Sequence, residues 1–210
     1  MTLNNAHHTM SRTAFYLSFL VFLLTAFFLN PVTTQAIGNP DANLPTFADF
    51  SRSVQNGDAN VLRGVYAPDV LALPVVQQPE DHPYYVSNRD GEATQFSIAS
   101  QYGNIGLLAH NTLNSGKFFA QLSAGQPVYL VYGDGRVEDF VVENILRFQA
   151  SEPESISSSF RNLNQNETLS AGDMFLRVYA GERHLVFQTC IEANGNPSWG
   201  RLFIMAVPKE

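Results

Sequence analysis

The chain has 210 residues, with 12 Lys and Arg against 19 Asp and Glu, which gives a formal net charge of −7. This acidic balance argues against binding to nucleic acids or anionic membrane surfaces, because such partners require a surplus of basic side chains. The single cysteine, Cys190, excludes an intramolecular disulfide, so packing alone must stabilise the fold.

The N-terminal segment predicts export. Residues 13–40 carry no charge, and Arg12 stands directly before them. Their apolar part, residues 14–29, is short for a membrane span, which needs about 20 residues. Small residues around Ala36 provide a cleavage site, so residues 1–36 are predicted to be a signal peptide, with an N-terminal membrane anchor as the alternative. Both predict a protein that is secreted or attached through its N-terminus to the extracellular face of the cell membrane.

A linker is predicted to separate this leader from one folded domain. Residues 37–59 are rich in Asn, Asp, Pro and Gly, and a short helix is predicted at 46–55. The domain is predicted over 60–210. It begins with short apolar runs broken by Pro68 and Pro74, a pattern typical of edge or bulged strands.

The middle of the chain predicts a helix followed by a hairpin. Apolar side chains at helical spacing in residues 115–126 predict one short amphipathic helix that ends near Gly125. Two apolar runs in 127–148 flank Gly133-Asp134-Gly135, a composition that favours a tight hairpin turn.

The remaining pattern predicts a mainly β fold. Residues 151–170 are predicted to be a polar loop, 174–180 and 184–189 to form a second hairpin, and 201–207 the last strand. Seven or eight strands at short spacing predict a closed barrel or a sandwich with few helices. The long apolar runs lack clean alternation, which indicates strands buried on both faces.

Cys190 is a candidate nucleophile if a base lies near it, since a free thiol has a pKa of about 8.5 and stays mostly protonated at neutral pH. His184 is close in sequence but six residues away on the same predicted strand, about 20 Å from the thiol. His82 lies in a charged loop and is predicted to be solvated. His110 ends the apolar run 105–109, and strand ends commonly carry reactive groups.

Arg201 follows Cys190 by eleven residues, and residues 192–200 between them are predicted to form a loop. If the flanking strands pair antiparallel, the thiol and the guanidinium lie at the same rim. The arginine would then lower the pKa of the thiol or stabilise a developing oxyanion. The alternative is an arginine that faces solvent and pairs with Glu192.

Other chemistries find no support in the sequence. It contains no HExxH or CxxC motif and no histidine cluster, and no glycine-rich loop joins a strand to a helix. We therefore predict that the protein uses no metal and no cofactor.

Three motifs, in this order, resemble the sortase family: LLAHNT at 107–112, LVFQTC at 185–190 and GRLFIMA at 200–206. The resemblance covers residues 60–207. Sortases are exported cysteine transpeptidases, so it implies an eight-stranded β-barrel with one or two short helices. It also implies that His110, Cys190 and Arg201 are the catalytic residues.

The resemblance implies a two-step acyl transfer. Cys190 would attack a sorting-signal peptide of an exported protein, and an amine acceptor of the cell envelope or a pilin would resolve the thioester. Val186, Phe187 and Gln188 depart from the Thr-Leu-x of the family, and Ala109 replaces a frequent glycine, which leaves the sorting motif and the subclass open. The alternatives are a hydrolytic cysteine peptidase on the same fold and a non-enzymatic β-barrel binding module with a decayed site.

Overall fold

The computed structural model describes residues 44–155 and 158–210. The predicted leader at 1–36 and the first residues of the predicted linker lie outside this part. Within it, no helix has the length and apolar content needed to cross a membrane.

The described residues form ten strands, three α-helices and one 3-10 helix. The strands are β1 Leu62–Ala67, β2 Leu71–Gln77, β3 Ala93–Phe96, β4 Ile105–Leu108, β5 Pro127–Tyr132, β6 Val137–Ala150, β7 Ser159–Asn162, β8 Glu167–Ser170, β9 Leu185–Ala193 and β10 Asn196–Pro208. The helices are α1 Phe47–Val54, α2 Asn114–Phe119, α3 Ala171–Tyr179 and the 3-10 helix Ser97–Tyr102.

Eight of the strands close into a barrel in the order β10-β9-β4-β3-β2-β1-β5-β6, and a β6–β10 pairing completes the circle. The β2–β3 and β4–β9 pairs are parallel, and the other pairs are antiparallel. Strands β7 and β8 extend the sheet from β6 and lie outside the closed circle. The prediction of a closed eight-stranded barrel is confirmed. The described part has more helical segments than the one or two predicted.

Two hydrophobic cores lie on opposite faces of the barrel wall. The inner core fills the barrel, and its members include Leu62, Val65, Leu73, Leu107, Phe119, Leu130, Phe140, Phe187 and Ile204. The outer core lies between the wall and α3 with β7, and its members include Phe96, Leu108, Phe148, Phe160, Phe175, Tyr179, Val186 and Phe203. Because β9 and β10 are covered on both faces, their sequences do not alternate between apolar and polar residues.

Helix α1 packs on the outside of β1 and β5. The Thr46 hydroxyl accepts a hydrogen bond from the Asp49 amide at 3.2 Å and caps the helix. Phe50 and Val54 are buried against Gly64 of β1, where a Cβ would lie 2.9 Å from the Phe50 ring. The predicted helix at 46–55 is confirmed, and it belongs to the folded body.

The second predicted hairpin is wrong, because residues 171–179 form α3. The Ser170 hydroxyl accepts from the Asp173 amide at 3.1 Å and starts the helix. Met174, Phe175 and Val178 then form its buried face. A short apolar run fits a strand or a buried helix, and here packing on the outer core selects the helix.

Three further boundaries differ from prediction. The predicted polar loop at 151–170 contains the β7–β8 hairpin. Helix α2 covers Asn114–Phe119 and ends before the predicted stop at Gly125. The predicted loop at 192–200 is mostly strand, because Asn194 and Gly195, both at positive φ (54° and 75°), make a tight turn between β9 and β10.

Candidate active site

Cys190 lies within β9 rather than at its end, and the parallel neighbour β4 brings His110 beside it. The register pairs Leu107 with Phe187 and Leu108 with Gln188. The Ala109 amide continues this ladder by donating to the Gln188 carbonyl at 3.2 Å. His110 follows directly after this last hydrogen bond between the two segments, and Cys190 lies two residues beyond Gln188 on β9.

Arg201 lies on the other side of Cys190. The antiparallel register of β9 and β10 pairs the two residues directly. Side chains at directly opposed positions point to the same face, with Cβ atoms about 4.5–5.5 Å apart. The two residues are therefore direct cross-strand neighbours, and they lie inside a ladder that continues to the Asn194-Gly195 turn.

Cys190 and Arg201 share the outer face of the barrel wall. Phe187 and Leu202 belong to the inner core, and their neighbours in the alternating pattern point outward. Arg201 also pairs with Phe148 of β6, which belongs to the outer core. In the order of the neighbouring strands β4, β9 and β10, three residues thus form one row: His110, two residues past the end of β4, then Cys190 and then Arg201.

The His110 ring is partly withdrawn from water. Burial lowers the pKa of His110 below its ordinary value of 6.5, and a hydrogen bond to the backbone of Val86 opposes this shift only in part. The imidazole is therefore neutral at pH 7. A neutral imidazole retains one unprotonated nitrogen, which a general base requires.

Helix α2 fixes the main chain of His110. The Leu113 amide donates to the His110 carbonyl at 3.1 Å. Gly116 then passes so close to the same carbonyl that a Cβ would overlap its oxygen and lie 2.7 Å from Thr189 Oγ1. This close approach explains the glycine in a helix, where glycine otherwise costs about 1 kcal/mol relative to alanine.

Cys190 is a half-buried free cysteine. Thr189, just before it, is buried and faces the inner core side, where its Oγ1 lies near α2. Strand β9 is thus buried from residue 185 to residue 189, and partial exposure to solvent begins at Cys190.

Arg201 is only 2 % exposed. Its Nη1 donates to the carbonyls of Ser198 at 3.0 Å and Gly200 at 2.9 Å. The guanidinium carbon lies 5.9 Å from the ring centroid of Phe160 on β7. The alternative of an arginine facing solvent is wrong, because the β7–β8 hairpin covers this part of the wall.

Gln188, one of the departures from the family motif, is held by α3. Tyr179 donates its hydroxyl to Gln188 Oε1 at 2.7 Å, and both side chains are buried. Burial raises the pKa of Tyr179 well above 10, so the hydroxyl remains a donor at any pH at which the protein is used. Nothing in the sequence pointed to Tyr179, because its segment was predicted to be a strand.

The other two histidines of the described part lie apart from the row. His184 precedes β9, and its ring nitrogens lie 2.6 Å from the Glu182 carbonyl and 2.7 Å from the Val178 carbonyl. It therefore joins α3 to β9, which confirms its exclusion as the partner of Cys190. His82 is in the loop after β2 with 72 % of its side chain exposed, as predicted.

Metal-binding side chains do not gather in residues 44–155 and 158–210: no group of three or more His, Cys, Asp and Glu is arranged to hold an ion.

The chain resembles sortases. Sortase A from Listeria monocytogenes is 15 % identical with a TM-score of 0.45, over 73 % of this chain and 89 % of that chain. Sortase C1 from Streptococcus suis is 12 % identical with a TM-score of 0.46, over 78 % and 79 %. Sortase C from Clostridium perfringens, solved with the C-terminal cell wall sorting motif, is 14 % identical with a TM-score of 0.42, over 78 % and 83 %. No protein-family model and no curated protein matches the sequence.

Proposed function

We propose that this protein is a sortase-type cysteine transpeptidase that transfers an exported protein to an amine through a thioester. The observation that carries the proposal is the row formed by His110, Cys190 and Arg201 on one face of the barrel wall. It combines a neutral base after the end of β4, a nucleophile on β9 and a fixed positive charge on β10, which is the combination that acyl transfer requires.

The first step breaks the scissile amide. The neutral His110 takes the thiol proton of Cys190, and the sulfur attacks the carbonyl carbon of the sorting-signal peptide. The C–N bond then breaks, and the imidazolium gives its proton to the leaving amine. The product is a thioester between Cys190 and the substrate.

The second step reverses the proton transfer. An amine of the cell envelope or of a pilin attacks the thioester, and His110 takes the proton that this amine loses. The new amide forms as the C–S bond breaks, and the sulfur of Cys190 takes the proton back from the imidazolium, which restores the starting thiol and neutral His110. Water in place of the amine would give hydrolysis.

Arg201 contributes a positive charge in poorly hydrated surroundings. Two carbonyls of its own strand and the Phe160 ring hold the guanidinium, so little reorganisation is needed as negative charge develops on the substrate oxygen.

The site acts on exported substrates if residues 1–36 direct the chain out of the cytoplasm, as a cleaved leader or as an anchor.

Mass spectrometry of the acyl-enzyme tests the proposal. The protein is incubated with a panel of sorting-signal peptides, and a mass increase on Cys190 equal to the N-terminal peptide fragment is expected. Cys190→Ala should lose the adduct, and His110→Gln should lose most of it. His82→Gln is the matched control, because it removes an exposed histidine outside the row.

The same experiment separates the alternatives. An adduct that is released as free acid even with excess amine identifies a hydrolytic peptidase. No adduct with any peptide, together with Cys190 alkylation by iodoacetamide that is unchanged in His110→Gln, would contradict the enzyme and favour the binding module.

A further inference from the structure

The ladder between β9 and β10 is interrupted just before Arg201. On β10 three residues, 197–199, lie between two paired positions, whereas β9 has only Glu192 there. The paired positions on the two sides are Asn196 with Ala193 and Gly200 with Ile191. The extra residues of such a bulge leave the ladder, so their backbone carbonyls need other hydrogen-bond donors.

The bulge holds the guanidinium of Arg201. The carbonyl of Ser198 accepts a hydrogen bond from Arg201 Nη1 at 3.0 Å, and the carbonyl of Gly200 accepts one at 2.9 Å. The Asn196 side chain shapes the bulge, because its Oδ1 accepts the Ser198 amide at 2.7 Å. Ser198 is fully buried, so the guanidinium takes the place of water as the donor to its carbonyl. The position of the positive charge thus depends on the conformation of residues 196–200.

Asn111 binds this bulge from the other side of β9. It follows His110 directly, and its Nδ2 donates to the Pro197 carbonyl at 2.8 Å. Strands β4 and β10 pair with opposite edges of β9. The Asn111 side chain therefore makes a direct contact between the segment of His110 and the bulge that precedes Arg201, past the strand of Cys190.

The main chain on both sides of Asn111 is fixed. The Ala109 amide donates to the Gln188 carbonyl at 3.2 Å, which attaches the segment to β9. The Leu113 amide donates to the His110 carbonyl at 3.1 Å and closes a turn that leads into α2. Because its backbone is already ordered, Asn111 loses little conformational entropy when its side chain binds the bulge.

We propose that Asn111 is a positioning residue: through the Pro197 carbonyl it fixes the bulge of β10, and the bulge fixes the guanidinium of Arg201. The catalytic meaning of this contact rests on the proposed acyl transfer, in which the positive charge must already be in place when negative charge develops on the substrate. The conformation of the bulge itself does not depend on any substrate.

Fluorescence of Trp199 tests the structural part of the proposal. Trp199 is the only tryptophan of the chain, and it is half-buried within the bulge. Asn111→Ala should loosen the bulge, which should shift the Trp199 emission to longer wavelength and increase its quenching by acrylamide. Thr112→Ala is the matched control, because it truncates the exposed neighbour in the same turn. Unchanged quenching in Asn111→Ala, or an equal increase in Thr112→Ala, would overturn the proposal.

Asn111→Asp covers the case in which Asn111→Ala unfolds the protein. It keeps the size of the side chain, but a carboxylate has no N–H group to donate to the Pro197 carbonyl. We expect the same change in Trp199 emission and quenching, with circular dichroism showing that the variant is folded. If Asn111→Asp folds and Trp199 behaves as in the wild type, the idea fails.

Kinetics connect the bulge to Arg201. Asn111→Ala should slow formation of the acyl-enzyme about 10-fold or more, since small displacements of a catalytic group have large effects on rate. In an Arg201→Lys background, which lacks the planar group on the Ser198 carbonyl, the same substitution should cause little further loss. An equal loss in both backgrounds would refute the link to Arg201. A chain that never forms an acyl-enzyme, but in which Asn111→Ala exposes Trp199, contradicts only the proposed function.

Discussion

Gly116→Ala tests how closely α2 holds His110. The new Cβ would overlap the His110 carbonyl oxygen and lie 2.6 Å from the carbonyl carbon and 2.7 Å from Thr189 Oγ1. Backbone atoms cannot rotate away, so α2 and His110 must move apart. Such overpacking lowers the free energy of unfolding by about 1–3 kcal/mol. Replacing glycine by alanine in a helix raises it by about 1 kcal/mol.

We therefore expect the free energy of unfolding to fall by up to about 2 kcal/mol. For a domain of roughly 150–250 residues, each kcal/mol lowers the Tm by about 2–4 °C. The rate of acyl-enzyme formation should fall further than stability alone explains, by about 100-fold for a 1 Å displacement of His110. Thermal unfolding and single-turnover acylation measure the two effects.

Lys117→Ala is the control, because it introduces the same residue at an exposed position of the same helix. Its effect on stability should stay within about 0.5 kcal/mol. A Gly116→Ala variant with a raised Tm and wild-type acylation would refute the argument that this glycine is needed for close approach to His110.

Four further outcomes follow from the site. Burial lowers the pKa of His110 in the folded protein, so between that lowered pKa and about 6.5 the unfolded chain binds more protons than the folded one. The free energy of unfolding therefore rises with pH over this interval. His110→Gln should flatten this rise, which urea titrations at several pH values measure. The acid limb of the acylation pH profile should have its midpoint below 6.5. Tyr179→Phe leaves Gln188 Oε1 without its buried donor and should cost about 1–3 kcal/mol in urea unfolding, most of it recovered when Gln188→Leu is added. Arg201→Lys keeps the charge but loses the planar group on the Ser198 carbonyl, and we expect about 1–3 kcal/mol lower stability together with slower acylation.

Local sequence patterns predicted part of the fold, and two further patterns that mark a turn and a helix start were not used in the prediction. The Gly133-Asp134-Gly135 turn lies between β5 and β6, as expected from its composition. The Asn194-Gly195 pair carries an equally strong hairpin signal, but the prediction of a loop at 192–200 did not use it. Ser170 and Asp173 form a helix-start pattern before α3, but the apolar run after them also suited a strand.

The sequence by itself determined the β class of the protein, its single free thiol and the order in which His110, Cys190 and Arg201 occur, because these depend on composition and short-range pattern. The tertiary structure decided what surrounds them. The register of β4 on β9 relates residues about 80 positions apart, and the cover of Phe160 over Arg201 depends on a hairpin attached to β6. Strand pairing across such distances is selected by the packing of whole faces, which a local pattern does not contain.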